Sequence, residues 1–180
     1  PVAQRAFVEG VLWMHSFEYE KAATAFRRAQ QAEPGFAMAY WGEAMTHNHP
    51  VWNERDATQA QAVLARLGAT AAERAAKAKT PREATWLDAA EVLWADGPKA
   101  VRDSLYERAM AKVAHDFPDD ESLTFHALAM LGLKQGVRDI PDYMRAGKLA
   151  LDVFTRSPRH PGAAHFVIHA FDDPDHAILG

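Results

Sequence analysis

Regularly spaced breakpoints constrain this chain more than any other feature. Pro34-Gly35, Asn48-His49-Pro50, Gly68, Thr80-Pro81, Gly97-Pro98, Phe117-Pro118, Gly136, Ser157-Pro158 and Asp173-Pro174 interrupt it. Most stretches between them run about 12 to 18 residues, the usual length of a globular helix. Inside them apolar and small residues recur three or four apart, as at Phe7, Gly10, Val11 and Met14, which is the helical period. Starts are marked as well. Ser16 is expected to cap a helix over 17–32, followed by one over 36–47. Asp56 to Gln59, Thr70 to Glu73 and Thr80 to Glu83 have capping-box form, the last with Pro81 at the first helical position. Gly97-Pro98 opens a long helix, Asp120 caps one reaching about Gly136, and Pro141 begins one ending near Ser157. His160 caps the last, over about 161–172. No window alternates for long in the manner of a strand, so the expected class is all-α with little or no β-structure.

One segment carries a finer pattern. Gly10, Trp13, Ala22, Phe26, Ala29 and Pro34 follow one another at intervals with a mechanical meaning. Gly10 and Ala22 are slim enough for two antiparallel helices to approach closely, Trp13 and Phe26 fill the space between, and Pro34 ends the hairpin. On these six positions residues 3–36 resemble the tetratricopeptide repeat (TPR). The module returns loosely at Ala146, Val153 and Pro158, while 48–117 departs from the period and reads as two irregular hairpins. The resemblance implies one domain over 1–180: antiparallel helix pairs stacked as a right-handed TPR-like superhelix, about four pairs with an unpaired last helix. It also implies a concave groove that receives a peptide or partner protein.

Composition removes several function classes. A formal charge of −4 lacks the cationic surplus that drives nucleic-acid binding, so no nucleic-acid partner is expected. No apolar run reaches the roughly 18 to 20 residues of a membrane span. Without cysteine there are no disulfides, thiolate nucleophiles or cysteine-ligated metals. Gly147-Lys148 lacks the rest of a phosphate loop, and Ser16, Ser104, Ser122 and Ser157 stand outside any nucleophile-elbow motif. The first residue is Pro1 rather than Met, which leaves a cytoplasmic protein and one exported after loss of a leader equally open.

Nine histidines stand out against this background. His165, His169 and Asp172 are spaced i, i+4 and i+7, on one stripe of the last helix. Two imidazoles one turn apart can hold one divalent metal, and a carboxylate a turn further can ligate it or orient a ring. Superposing the helices after Pro34 and Pro158 aligns His165 and His169 with Trp41 and Met45, with His126 and Met130 on the matching stripe between. The resemblance assigns these six residues to the groove. The bland reading is that such histidines bond to neighbours or touch a peptide. No cofactor is required, and a metal, if bound, would be copper or zinc, with Met45 and Met130 favouring copper. A metalloenzyme would also need a third ligand and a base, for which Asp172, Asp173 and His126 are the candidates.

The remaining expectations concern packing. Trp13, Phe26, Tyr40, Trp86 and Trp94 are expected in the core, while Tyr40 and Trp41 are not expected to share one helix's buried face. Phe166, Ile168 and Phe171 give the last helix an apolar flank. A longer native chain or a second copy would cover it, and the alternative is that residues 174–180 wrap over it.

Overall fold

The computed structural model describes all 180 residues and is all-helical, with ten α-helices and one two-stranded ladder. The helices are α1 (Val2–His15), α2 (Tyr19–Ala32), α3 (Ala37–Met45), α4 (Ala57–Leu67), α5 (Ala71–Ala75), α6 (Pro81–Trp94), α7 (Lys99–Asp116), α8 (Asp120–Lys134), α9 (Ile140–Arg156) and α10 (Pro161–Phe171). The ladder joins β1 (Asn48–His49) to β2 (Glu54–Arg55) around a 3-10 turn, Pro50–Trp52. No helix is long and apolar enough to cross a membrane. The chain forms two compact units, one of residues 1–49 and 55–98, the other of residues 50–54 and 99–180.

In the first unit α1 and α2 form an antiparallel hairpin, and α3 packs on both. The Phe26 ring is fully buried, and Gly10 of α1 and Gly42 of α3 both lie against it. A Cβ on either glycine would come within 2.6 or 2.4 Å of the ring, closer than carbon atoms can pack. Absence of side chains at 10 and 42 is therefore what lets the three helices meet.

Two local expectations need correction. Ser16 does not cap α2; it ends α1, its hydroxyl donating to the Leu12 carbonyl, and Glu18 precedes α2. The turn is made by Phe17 at φ 57°, a left-handed conformation that shifts the helix start two residues on. Trp13 is 36% exposed rather than core, its ring lying 4.7 Å from the Lys21 ammonium, because the Phe26 ring already fills the space against Gly10.

All nine residues of α3 are buried, since α1, α2, α4 and α6 surround it. Tyr40 and Trp41 consequently both point into packed surroundings. The Tyr40 hydroxyl donates to the Pro34 carbonyl at 3.0 Å, and Trp41 meets Trp86 edge to face with centroids 4.9 Å apart. A helix wrapped on all sides has no solvent face to assign. Its one charged residue, Glu43, has a side chain 3% exposed and accepts from Gln30 at 2.6 Å, Arg27 at 3.2 Å and Arg66. This burial is tolerated because each carboxylate oxygen has a donor and two guanidinium groups reach in from the surface.

The three later capping signals of the first unit are met. Asp56, Thr70 and Thr80 accept from the backbone N–H of Gln59, Glu73 and Glu83, and Glu73 returns the contact to Thr70.

In the second unit α7 to α10 pack in succession, with α10 also reaching α8. The cap of α8 is Asp119, one residue before the expected Asp120: it accepts from Ser122 N at 2.9 Å while Ser122 Oγ accepts from Asp119 N. Asp120 is occupied elsewhere, receiving Arg156 and Ser157 from the end of α9 at 2.7 and 2.6 Å. His160 caps α10 as anticipated, its Nδ1 accepting from Ala163 N at 3.1 Å. Residues 174–180 fold back so that a 3-10 turn, Ala177–Leu179, lies on α10. Arg138 anchors the bend by donating to the Asp172 carbonyl at 2.6 Å and pairing with Asp173. Phe166 and Phe171 are buried, whereas Ile168 and Ile178 remain exposed.

Two substitutions test this packing. Gly10→Ala drives a methyl into an immobile ring and is expected to cost about 1–3 kcal/mol, despite alanine's better helix propensity. Glu43→Ala removes one of the two acceptors of the Gln30 amide, leaving the Ala39 carbonyl, and leaves two arginines without this counter-ion. A loss of about 2–3 kcal/mol is expected, below the usual figure for a fully buried pair because the arginines can turn to water. Urea denaturation of each variant measures both.

Candidate functional site

The imidazole pair of α10 forms on the helix as its spacing demands. His165 and His169 Nε2 atoms stand 3.0 Å apart, with ring centroids separated by 4.7 Å. A contact of that length needs one ring to present N–H and the other its lone pair. Both are half-buried, on the stripe that also carries exposed Ile168 and Asp172. Phe166, Val167, Ala170 and Phe171 on the other side are buried and hold the helix in place. Burial pushes the His169 pKa down, the neighbouring His165 adds to this, and the Asp172 carboxylate opposes it. The neutral form that can bind a metal or accept a hydrogen bond is thereby favoured. Asp172 does not close with the two rings into a compact three-ligand set within 4.8 Å, and its backbone carbonyl accepts from Arg138.

His126 and Met130, one turn apart on α8, serve a different surface. His126 Nε2 lies 3.0 Å from Glu107 Oε1 of α7, and both side chains are largely buried. Beyond them a cleft of about 260 Å³ opens between α7, α8 and α9. Met130 and Leu133 supply its apolar lining, and Glu107, Arg108, Lys134, Asp142 and Arg145 its charge. Asp142 is shared by Lys134 at 2.7 Å and by Arg145, so the charges are already partly matched across it.

Trp41 and Met45 belong to the interior of the first unit, at 2% and 5% exposure, and contribute packing there rather than open surface. Among the remaining histidines, His49 stacks on the Tyr19 ring with centroids 4.1 Å apart and contacts the Thr46 carbonyl at 3.0 Å. His15 is buried, and His115 is exposed beside Asp116. Sequence reasoning missed the charged cleft, whose residues come from three helices and share no local spacing. It also missed Glu43, although a lone carboxylate in the apolar stretch Ala37–Met45 was a readable sign of a buried charge cluster.

The lowered His169 pKa has a stability consequence. A base whose folded-state pKa lies below its unfolded value takes up its proton first in the unfolded chain, so stability rises with pH between the two values. The His169 contribution is therefore intact above about pH 6.5 and is lost as pH falls from there towards the depressed folded value. Urea midpoints measured from pH 7.5 down to 5 are expected to fall less steeply for His169→Gln than for the wild-type chain, and ring titration by NMR should place His169 below an exposed histidine. Compared with known proteins, this chain matches no protein-family model, no curated protein and no solved structure.

Proposed function

We propose that this chain is a TPR-like binding scaffold that docks a peptide or a segment of a partner protein in the cleft around Met130. The observation that carries the reading is the make-up of that cleft: Met130 and Leu133 beside side chains of both charge signs. Methionine adapts to varied side chains, and rim charges select partners by complementarity rather than by bulk affinity. Such a lining suits an extended peptide with an apolar anchor flanked by charges better than a compact apolar ligand, which needs a more enclosed and less polar cavity. The α1–α2 hairpin and the close approach at Gly10, Phe26 and Gly42 support a TPR-like reading of the first three helices, and proteins built from such repeats commonly present ligand grooves. Such likeness of fold is a weaker warrant than the cleft itself.

Selection of a displayed random-peptide library on the intact chain provides the test. A consensus with one apolar residue between charged ones is expected, and its affinity should fall roughly tenfold or more in Met130→Lys and in Arg145→Glu, as for truncation of an interface anchor. Circular dichroism checks that both variants remain folded. No consensus, or a consensus bound equally by both variants, would sink the reading.

A further inference from the structure

We propose that His165 and His169 form a chelating pair for a transition-metal dication, copper(II) above all, on the half-buried stripe of α10. The inference stands on the geometry of that helix and is independent of the scaffold reading.

Three features of the site support it. First, the two Nε2 atoms already converge. At the usual metal–imidazole distance of about 2.0 Å, nitrogens 3.0 Å apart subtend roughly 95° at the ion. That is the angle between adjacent positions of a square-planar or tetragonal centre, the preferred geometry of copper(II) and nickel(II). A tetrahedral zinc ion would need the nitrogens about 3.3 Å apart, so zinc binds only with some spreading of the rings. Second, the pair is held by a helix whose opposite side is buried through Phe166, Val167, Ala170 and Phe171, so little ordering is required on binding. Third, residues beside the pair reach solvent. Exposed Ile168 lies between the two rings in sequence, and the exposed Asp172 carboxylate adds negative potential near His169.

Binding moves a proton within the pair. In the metal-free pair the hydrogen between the two Nε2 atoms belongs to one ring. As the ion enters, the proton leaves that Nε2 and the same ring is reprotonated at Nδ1 from solvent, so both rings stay neutral and both Nε2 lone pairs turn to the ion. The remaining equatorial positions stay with water. Two neutral imidazoles and an open coordination sphere make a site of moderate affinity that is lost in acid, where both rings take up protons.

The test is a titration of the purified chain with copper(II) in the presence of glycine, which strips copper from isolated surface histidines. One equivalent is expected to remain on the wild-type protein, with nickel(II) and zinc(II) bound more weakly, in the order of intrinsic affinities. Loss of a ligand should cost at least as much as loss of an outer-shell partner, so His165→Ala and His169→Ala are each expected to weaken copper binding roughly 100-fold or more. His115→Ala, which removes an exposed histidine elsewhere, should leave it unchanged. Alanine is the best helix former, and circular dichroism verifies that the variants keep α10. A second readout needs no variant: paramagnetic resonance of the wild-type copper complex should show two equatorial imidazole nitrogens. A site that survives the double substitution, no equivalent retained against glycine, or a spectrum with fewer than two nitrogens would each overturn the proposal.

Discussion

Close approach of helices through missing side chains is the constraint on which the first unit depends. Phe26 is wedged against backbone at Gly10 and again at Gly42, so one aromatic ring takes the place of two side chains at the meeting of three helices. Interiors are packed to crystal-like density, and a ring so enclosed cannot move aside for even one methyl group. The consequence extends to α3. Once α1 and α2 close on it from one side and α4 and α6 from the other, every residue from Ala37 to Met45 is interior, including a tryptophan, a tyrosine and a glutamate.

Charge is used differently in the two units. In the first, Glu43 is an interior carboxylate held by Gln30 and by half-exposed arginines from α2 and α4, a cluster that joins three helices. In the second, Asp142, Lys134, Arg145, Glu107 and Arg108 line a cleft between α7, α8 and α9, with Asp142 paired to Lys134 and Arg145. A buried cluster of this kind specifies packing.

Much of the secondary structure was legible because its causes are local. Capping residues such as Thr70, Thr80 and His160 act on backbone groups three residues away, and prolines such as Pro81 and Pro161 act on their own turn. Errors arose where a neighbouring group competed for the same atoms. Ser16 bonds back to Leu12, and Asp120 is claimed by Arg156 and Ser157 from a helix some 36 residues on, leaving the cap to Asp119. Trp13 shows the same limit: its place in the repeat pattern pointed inward, yet the space was already taken by Phe26.

The imidazole pair was readable for the same reason as the caps, since an i, i+4 spacing places two rings on one stripe of any helix. Which helix faces are open was not. The pattern that grouped Trp41 and Met45 with His126, Met130, His165 and His169 is a helical register, and register says nothing of how many neighbours a helix has. Sequence alone determined the helical class, most helix boundaries and the pairing of His165 with His169, because each rests on forces acting within a turn or two. Only tertiary packing decided that α3 is enclosed while α10 keeps a solvent stripe, and that charges from α7, α8 and α9 meet at Met130, because burial depends on residues distant in the chain.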